Sequence, residues 1–136
     1  MRYAVIPHSG DWREAGVFRD GLELNHPLIV RKVVAHAGKL PARWGFVSVS
    51  SPQVVMSALN PAINGRTILR VYEATGNPAP NVHVRFTAGV SSAHEADLLE
   101  RPSRDLTVNG GDVLLDLGPF EVKTLAFELG ASTKPK

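Results

Sequence analysis

The sequence predicts a mainly β protein, an antiparallel β-sandwich with one N-terminal α-helix. Twelve glycines and ten prolines interrupt the 136 residues at short intervals, and the runs between them are rich in Val, Leu, Thr and Phe. This spacing is typical of short strands joined by turns. In residues 82–87, Val82, Val84 and Phe86 alternate with polar residues. The alternation places one face of this strand in a core and the other in solvent.

The first predicted elements are a short strand over residues 3–7 and a helix over about residues 11–25. The apolar residues of the second segment recur at steps of three and four: Trp12, Ala15, Phe18 and Leu22. Asp11 and Glu14 have the spacing of a capping box, in which side chains satisfy free N–H groups at a helix start. Pro27 ends the predicted helix because proline cannot donate the next hydrogen bond.

Six strands are predicted after the helix, separated by turns that contain Gly, Pro or Asn. They cover residues 44–50, 53–59, 67–73, 82–87, 112–117 and 122–129. The strongest hairpin signal is Asn109-Gly110-Gly111, because Asn and Gly tolerate the positive φ angles of a tight hairpin turn. Since the sequence shows no internal repeat or long linker, we expect a single domain over residues 1–130 and a frayed tail over residues 131–136.

The composition argues against several classes of protein. Fifteen Lys and Arg against thirteen Asp and Glu give a net charge of +2. This charge is too small for a basic surface that binds the phosphate backbone of nucleic acid. No apolar run reaches the roughly 18 residues of a membrane helix, and a chain without cysteine forms no disulfide. The apolar start stops at Pro7, too early for a signal peptide. We therefore expect a cytoplasmic protein with no nucleic-acid or membrane partner.

The turn over residues 8–12 holds the candidate ligand-contacting residues, His8, Asp11 and Trp12. In the favoured interpretation, Asp11 caps the helix and Trp12 packs in the core between helix and sheet. In the alternative, these side chains line a polar rim near bound sugar, because an aromatic ring can stack on a sugar face. Trp44 has the same two interpretations, and core packing is again favoured.

No residue pattern predicts catalysis or metal binding by this chain. The five histidines are spread without the spacing of a zinc motif. Neither a G-x-S-x-G nucleophile nor a phosphate-binding glycine loop occurs. The densest polar cluster is predicted to be a solvated loop and strand edge: His94, Glu95, Asp97 and Glu100. We therefore expect no catalytic residue, metal ligand or cofactor in this chain.

Six segments are similar, in the same order, to segments of a known enzyme family. The most specific is PHSGDWREAG at residues 7–16, within a similar stretch over residues 3–17. The others are ELNHPL at 23–28, FVSVSSPQVV at 46–55, SALNP at 57–61, ILRVYEA at 68–74 and GPFEVKTL at 118–125. Together they resemble the end of the C-terminal β-rich region of bacterial α-mannosidases of glycoside hydrolase family 38. The resemblance runs from Tyr3 to about Phe127.

This resemblance implies that the chain is the C-terminal β-sandwich domain of such an α-mannosidase. It implies a zinc-dependent retaining parent enzyme, whose carboxylate nucleophile and zinc ligands lie in an α/β domain and a helical domain outside this chain. The chain alone is then expected to be inactive and to scaffold or border that active site. Its implied partners are the catalytic and helical domains and mannose-containing glycans.

The interpretation as one domain of a larger enzyme also predicts self-association, and it has one functional alternative. A domain without its neighbours exposes the apolar surface that they would cover, which favours self-association into a homo-oligomer. The alternative function is a free-standing carbohydrate-binding module that uses exposed aromatic residues.

Overall fold

The structure is a computed structural model that describes residues 3–62 and 64–130. Its contacts divide the chain into two compact units, Met1–Gly38 and Lys39–Lys136. The helix falls in the first unit and all the strands of the described residues fall in the second. None of the helices in these residues is long and apolar enough to cross a membrane. The predicted tail over residues 131–136 lies outside the described residues.

The first unit contains the helix α1 (Val17–Asn25), which begins six residues later than the predicted start at Asp11. Residues 12–16 instead form hydrogen-bonded turns. The predicted start is wrong because Gly16 has a φ of 67°, in the left-handed region that a right-handed helix cannot include. The predicted strand over residues 3–7 is also wrong, since these residues pair with no strand in the described part of the chain.

The second unit is an antiparallel β-sandwich. Its strands are β1 (Val47–Val49), β2 (Val54–Pro61), β3 (Thr67–Glu73), β4 (Ala79–Phe86), β5 (Val90–Ala96), β6 (Pro102–Leu106), β7 (Val108–Asn109), β8 (Asp112–Leu117) and β9 (Val122–Leu129). A four-stranded sheet has the order β1-β4-β8-β7, and a five-stranded sheet has the order β2-β3-β9-β5-β6. Their inner faces share one apolar core, which includes the fully buried Leu69, Val84 and Phe127. The predicted fold class is confirmed.

The sequence predicts some strands accurately and misses two. The predicted bounds of β3, β8 and β9 agree with the structure. The strands β5 and β6 are not predicted, because neither shows a regular apolar alternation. A register shift between Val90 and Ser92 interrupts β5, and its inner face carries the small residue Ala93. The edge strand β6 is exposed over its first four residues.

The predicted hairpin between β7 and β8 is confirmed. Asn109 pairs with Asp112, and the two glycines between them have positive φ angles of 58° and 89°. Such a two-residue turn needs positive φ at both central positions. The hairpin fixes Asp112 as the first residue of β8, beside β4.

Candidate functional site

A polar hollow of about 310 Å³ lies on the outer face of the four-stranded sheet. The strand register creates it: Ser48 on β1 lies opposite Arg85 on β4, and Arg85 lies opposite Asp112 on β8. Three adjacent strands therefore place polar residues in one row. The lining residues are Ser48, Val49, Ser50, His83, Arg85 and Asp112.

An ion pair between Arg85 and Asp112 occupies the centre of this hollow. The guanidinium donates from Nε to Oδ1 and from a terminal nitrogen to Oδ2, the latter at 2.5 Å. These hydrogen bonds lower the pKa of Asp112, against the opposing effect of burial. The Nδ1 atom of His83 lies 3.6 Å from Oδ2 of the same carboxylate. Asp112 is therefore an ionised hydrogen-bond acceptor, not a proton donor.

Two serines bring hydroxyl groups to the hollow. The backbone N–H of His83 donates to Oγ of Ser50 at 2.9 Å, and the Ser50 N–H donates to the His83 carbonyl at 3.0 Å. The exposed Ser48 side chain makes no hydrogen bond within the described ranges. The hollow therefore offers hydroxyl, guanidinium, imidazole and carboxylate groups to one small polar ligand. Among its described lining residues Asp112 is the single carboxylate, so it lacks the carboxylate pair that hydrolyses glycosides.

Sequence analysis did not single out this hollow. His83 and Arg85 are the outward residues of the alternating segment 82–87, which marks them as solvent-facing and nothing more. Their shared partner, Asp112, lies 29 residues after His83 and 27 residues after Arg85. Only the pairing of β4 with β8 reveals that these side chains meet.

The residues predicted to lie near substrate, His8, Asp11 and Trp12, belong to the first unit. Asp11 Oδ1 accepts hydrogen bonds from the backbone N–H groups of Arg13 and Glu14, at 2.8 and 2.9 Å. The hydrogen bond from Glu14 is the main reason why the pKa of Asp11 is lowered. Asp11 thus caps the turn that precedes α1, while the N-terminus of α1 itself receives no side-chain cap. The prediction that Asp11 caps the helix is therefore wrong.

Trp12 is exposed in this turn, and His8 is exposed in the segment before it. The guanidinium carbon of Arg13 lies 4.4 Å from the centroid of the Trp12 ring, within the range of a cation–π contact. Nδ1 of His8 lies 3.4 Å from the carbonyl oxygen of Ser9. Asp11 and Trp12 therefore belong to one exposed turn and His8 lies three residues before it, and the proximity of all three to substrate stays a prediction.

The prediction that both tryptophans are core residues is wrong. Trp12 is 36% exposed and Trp44 is 52% exposed. The aromatic part of the core comes from Phe86 and Phe127, whose ring centroids are 4.8 Å apart. Since neither tryptophan fills the core, both side chains are accessible to a ligand.

The polar cluster of His94, Glu95, Asp97 and Glu100, predicted to be a solvated loop and strand edge, lies on strand β5 and in the hairpin turn that follows it. His94 and Glu95 lie on β5, which has neighbouring strands on both sides. Glu95 pairs with Arg104 at 2.6 Å, and Asp97 accepts two backbone hydrogen bonds within the turn to β6. These contacts lie within the β5–β6 hairpin and join its strands and turn. Nowhere in residues 3–62 and 64–130 do three or more potential ligands gather as a metal ion requires.

A buried carboxylate, Glu73, holds one end of the sandwich together. Its oxygens accept hydrogen bonds from Thr75 N at 2.7 Å, Thr75 Oγ1 at 2.5 Å, Gly76 N at 2.6 Å and Phe120 N at 3.0 Å. Burial raises the pKa of Glu73, but these hydrogen bonds outweigh burial and the pKa lies below its ordinary value. One ionised side chain therefore joins the turn after β3 to the turn before β9.

The backbone of these two turns restricts the residues that fit there. Phe120 has a φ of 54°, which is rare for a bulky residue. Gly76 has a φ of 77°, and a Cβ at this position would lie 2.5 Å from the Phe120 ring. The positive φ and the nearby ring therefore both favour glycine at position 76. The Glu73 cluster is a structural element of the sandwich, since its polar groups are satisfied within the domain.

Fold and site together define a β-sandwich domain with a polar hollow of ligand size. The sequence model of the "Glycosyl hydrolases family 38 C-terminal beta sandwich domain" matches residues 53–125, more than half of the chain. The chain belongs to this family.

Two mammalian relatives extend this similarity beyond the sandwich. The chain is 34% identical over 134 residues to alpha-mannosidase 2C1 of Homo sapiens and to alpha-mannosidase 2C1 of Mus musculus. The similarity covers 93% of this chain and 12% of each relative. The chain therefore spans about an eighth of the length of these relatives, and its predicted bacterial origin stays a prediction.

Proposed function

We propose that this chain is the non-catalytic C-terminal domain of an α-mannosidase, where it scaffolds or borders an active site built by other domains. The observation that carries the proposal is the 34% identity along 93% of the chain to alpha-mannosidase 2C1, of which the chain spans only 12%. The hollow fits a supporting role because its described lining contains one carboxylate, Asp112, whereas glycoside hydrolysis uses two.

We infer that the partners are the catalytic and helical domains of the parent enzyme, which acts on mannose-containing glycans. The support is a run of apolar side chains in the first unit that are 73% to 93% exposed: Leu28, Ile29, Val30, Val33 and Val34. Single exposed apolar residues are ordinary, whereas five of them within seven consecutive positions favour an interaction surface.

The parent enzyme is proposed to be bacterial, cytoplasmic and dependent on zinc. Zinc would act there as a Lewis acid. The described residues of this chain do not fit such an ion, since they contain no group of three potential ligands. We therefore assign zinc to the other domains.

A free-standing carbohydrate-binding module is the second candidate function. The exposure of Trp44, at 52%, favours it, because an exposed indole can stack on a sugar ring. In that case the chain would bind mannosides without any partner domain.

The 136-residue chain is expected to leave an aryl α-mannoside unhydrolysed, with and without added zinc, because the hollow is lined by one carboxylate and the described residues contain no group of three potential metal ligands. The measurement is release of the aryl alcohol over the rate in buffer. An intact family 38 α-mannosidase assayed in parallel is the positive control. A zinc-dependent rate that falls in Asp112→Asn would contradict the non-catalytic role.

The chain is also expected to self-associate through the exposed apolar run over residues 28–34, because the domains that would cover it are absent from the sample. Sedimentation should then give a mass above 14.7 kDa that rises with concentration. The double variant Ile29→Lys/Val34→Lys should sediment as a monomer. Leu98→Lys is the matched control, since Leu98 is also 70% exposed but lies on the hairpin turn of the second unit. A monomeric wild-type chain would contradict this expectation.

A further inference from the structure

We propose that the polar hollow on the four-stranded sheet binds one neutral hexopyranoside through its hydroxyl groups. None of the residues that line the hollow is Phe, Trp or Tyr. Its volume of about 310 Å³ lies at the lower end of the range for small-molecule pockets. The proposal rests on the proposed function only in taking mannose as the sugar.

The charges in the hollow favour a neutral ligand over an anion. The guanidinium of Arg85 and the carboxylate of Asp112 cancel, and Arg85 donates to both carboxylate oxygens. A phosphate group placed against Arg85 would also lie close to the ionised Asp112 and be repelled by it. A neutral hydroxyl group meets no such repulsion.

The hydrogen-bonding groups are those that a sugar needs. Each sugar hydroxyl both donates and accepts, and the hollow presents an acceptor at Asp112 and donors at Arg85. The Arg85 side chain is 67% exposed, so it reaches the ligand side of the sheet. The hydroxyl of Ser48, opposite Arg85 across β1 and β4, is available for either role.

An apolar contact beside these groups suits the C–H face of a sugar ring. Leu114 on β8 lies opposite His83 on β4 and is 41% exposed. The ion pair also orients the donors in advance, because a bidentate guanidinium has little freedom left to lose on binding. The hollow therefore has a preoriented polar floor, and Leu114 is an exposed apolar residue on the same sheet face outside the lining of the hollow.

The test is an NMR titration of the full 136-residue chain with methyl α-mannopyranoside. We expect saturable shifts of the backbone amides in residues 48–50, 83–85 and 112, with a dissociation constant in the millimolar range. Arg85→Gln should weaken binding about tenfold. Because this variant could also disturb Asp112, Ser48→Val provides a second test and should weaken binding about threefold while leaving the other amide shifts in place.

Arg104→Gln is the matched control, since Arg104 is 66% exposed and pairs with a carboxylate on the other sheet. It should bind the mannoside as the wild-type chain does. Three results would overturn the proposal: no saturable shift, shifts centred on Trp44 instead of the hollow, or tighter binding of inorganic phosphate than of the mannoside at the same amides. None of these results bears on the role of the chain as a domain of an α-mannosidase, which the hydrolysis assay tests separately.

Discussion

Glu73→Gln is expected to lower the free energy of unfolding of the sandwich by about 3 kcal/mol at neutral pH. The carboxylate is fully buried and accepts hydrogen bonds from groups of Thr75, Gly76 and Phe120. The amide of Gln retains the size of the side chain but places a donor where an acceptor is needed. At least one buried N–H group would then lose its partner. Urea unfolding followed by far-UV circular dichroism measures the loss.

The effect of Glu73→Gln should also depend on pH. Because the pKa of Glu73 is lowered in the folded state, the ionised group stabilises the fold at pH values above its unfolded pKa. That stabilisation is lost as the pH falls through the folded pKa. The difference between wild type and variant should therefore stay constant at neutral pH and narrow as the pH falls below the ordinary Glu pKa of 4.5.

Glu128→Gln is the control for the loss of stability at neutral pH. Glu128 accepts a hydrogen bond from Arg66 at 3.2 Å, but its side chain is 50% exposed. Water can replace this partner, so the urea midpoint should stay close to that of the wild type. Equal losses in the two variants would show that the buried cluster around Glu73 has no special role.

Phe127→Ala is expected to destabilise the sandwich by about 3 to 5 kcal/mol, the usual cost of removing a buried aromatic ring. Phe127 on β9 is fully buried, and its ring centroid lies 4.8 Å from that of Phe86 on β4. The ring thus connects the two sheets across the core. Its removal leaves a cavity that the surrounding strands cannot fill by small shifts.

Phe120→Ala is the matched control for this second prediction, with the same change of side chain seven residues earlier. The Phe120 ring is 58% exposed, and the backbone N–H that binds Glu73 remains after the substitution. The expected loss is about 1 kcal/mol or less. If both alanine variants unfold at the same urea concentration, the packing of Phe127 between the sheets does not stabilise the domain as described.

The elements that could be predicted are those with a strong local pattern. Strand β9 was predicted with its observed bounds because apolar residues dominate it, and the β7–β8 hairpin because Asn and Gly favour its turn. The helix start could not be predicted, since the periodicity of apolar residues continues through Gly16 although its φ is positive. In strand β5 the buried residues are the alanines Ala93 and Ala96, and a register shift interrupts the strand. Its sequence therefore lacks the alternation of large apolar and polar residues that identifies a strand.

The hollow was not predictable from the sequence. His8, Asp11 and Trp12 could be grouped in advance only because they are neighbours in the chain, and they do not line the hollow. The hollow combines residues from three strands, and its central pair, Arg85 and Asp112, is separated by 27 positions. A sequence shows that Arg85 faces outward, but it does not show which strand lies beside it.

The sequence by itself determined the sandwich class, the strongest strands and the β7–β8 turn. It also determined that the chain belongs to the C-terminal β-sandwich domains of glycoside hydrolase family 38. These depend on alternation, turn residues and local sequence similarity, all of which lie within short segments of the chain. Only the tertiary structure decided that Glu73 is buried, that Trp44 is exposed and that Arg85 meets Asp112. Burial and pairing are set by contacts between distant strands, so the same residue types would have different roles in another register.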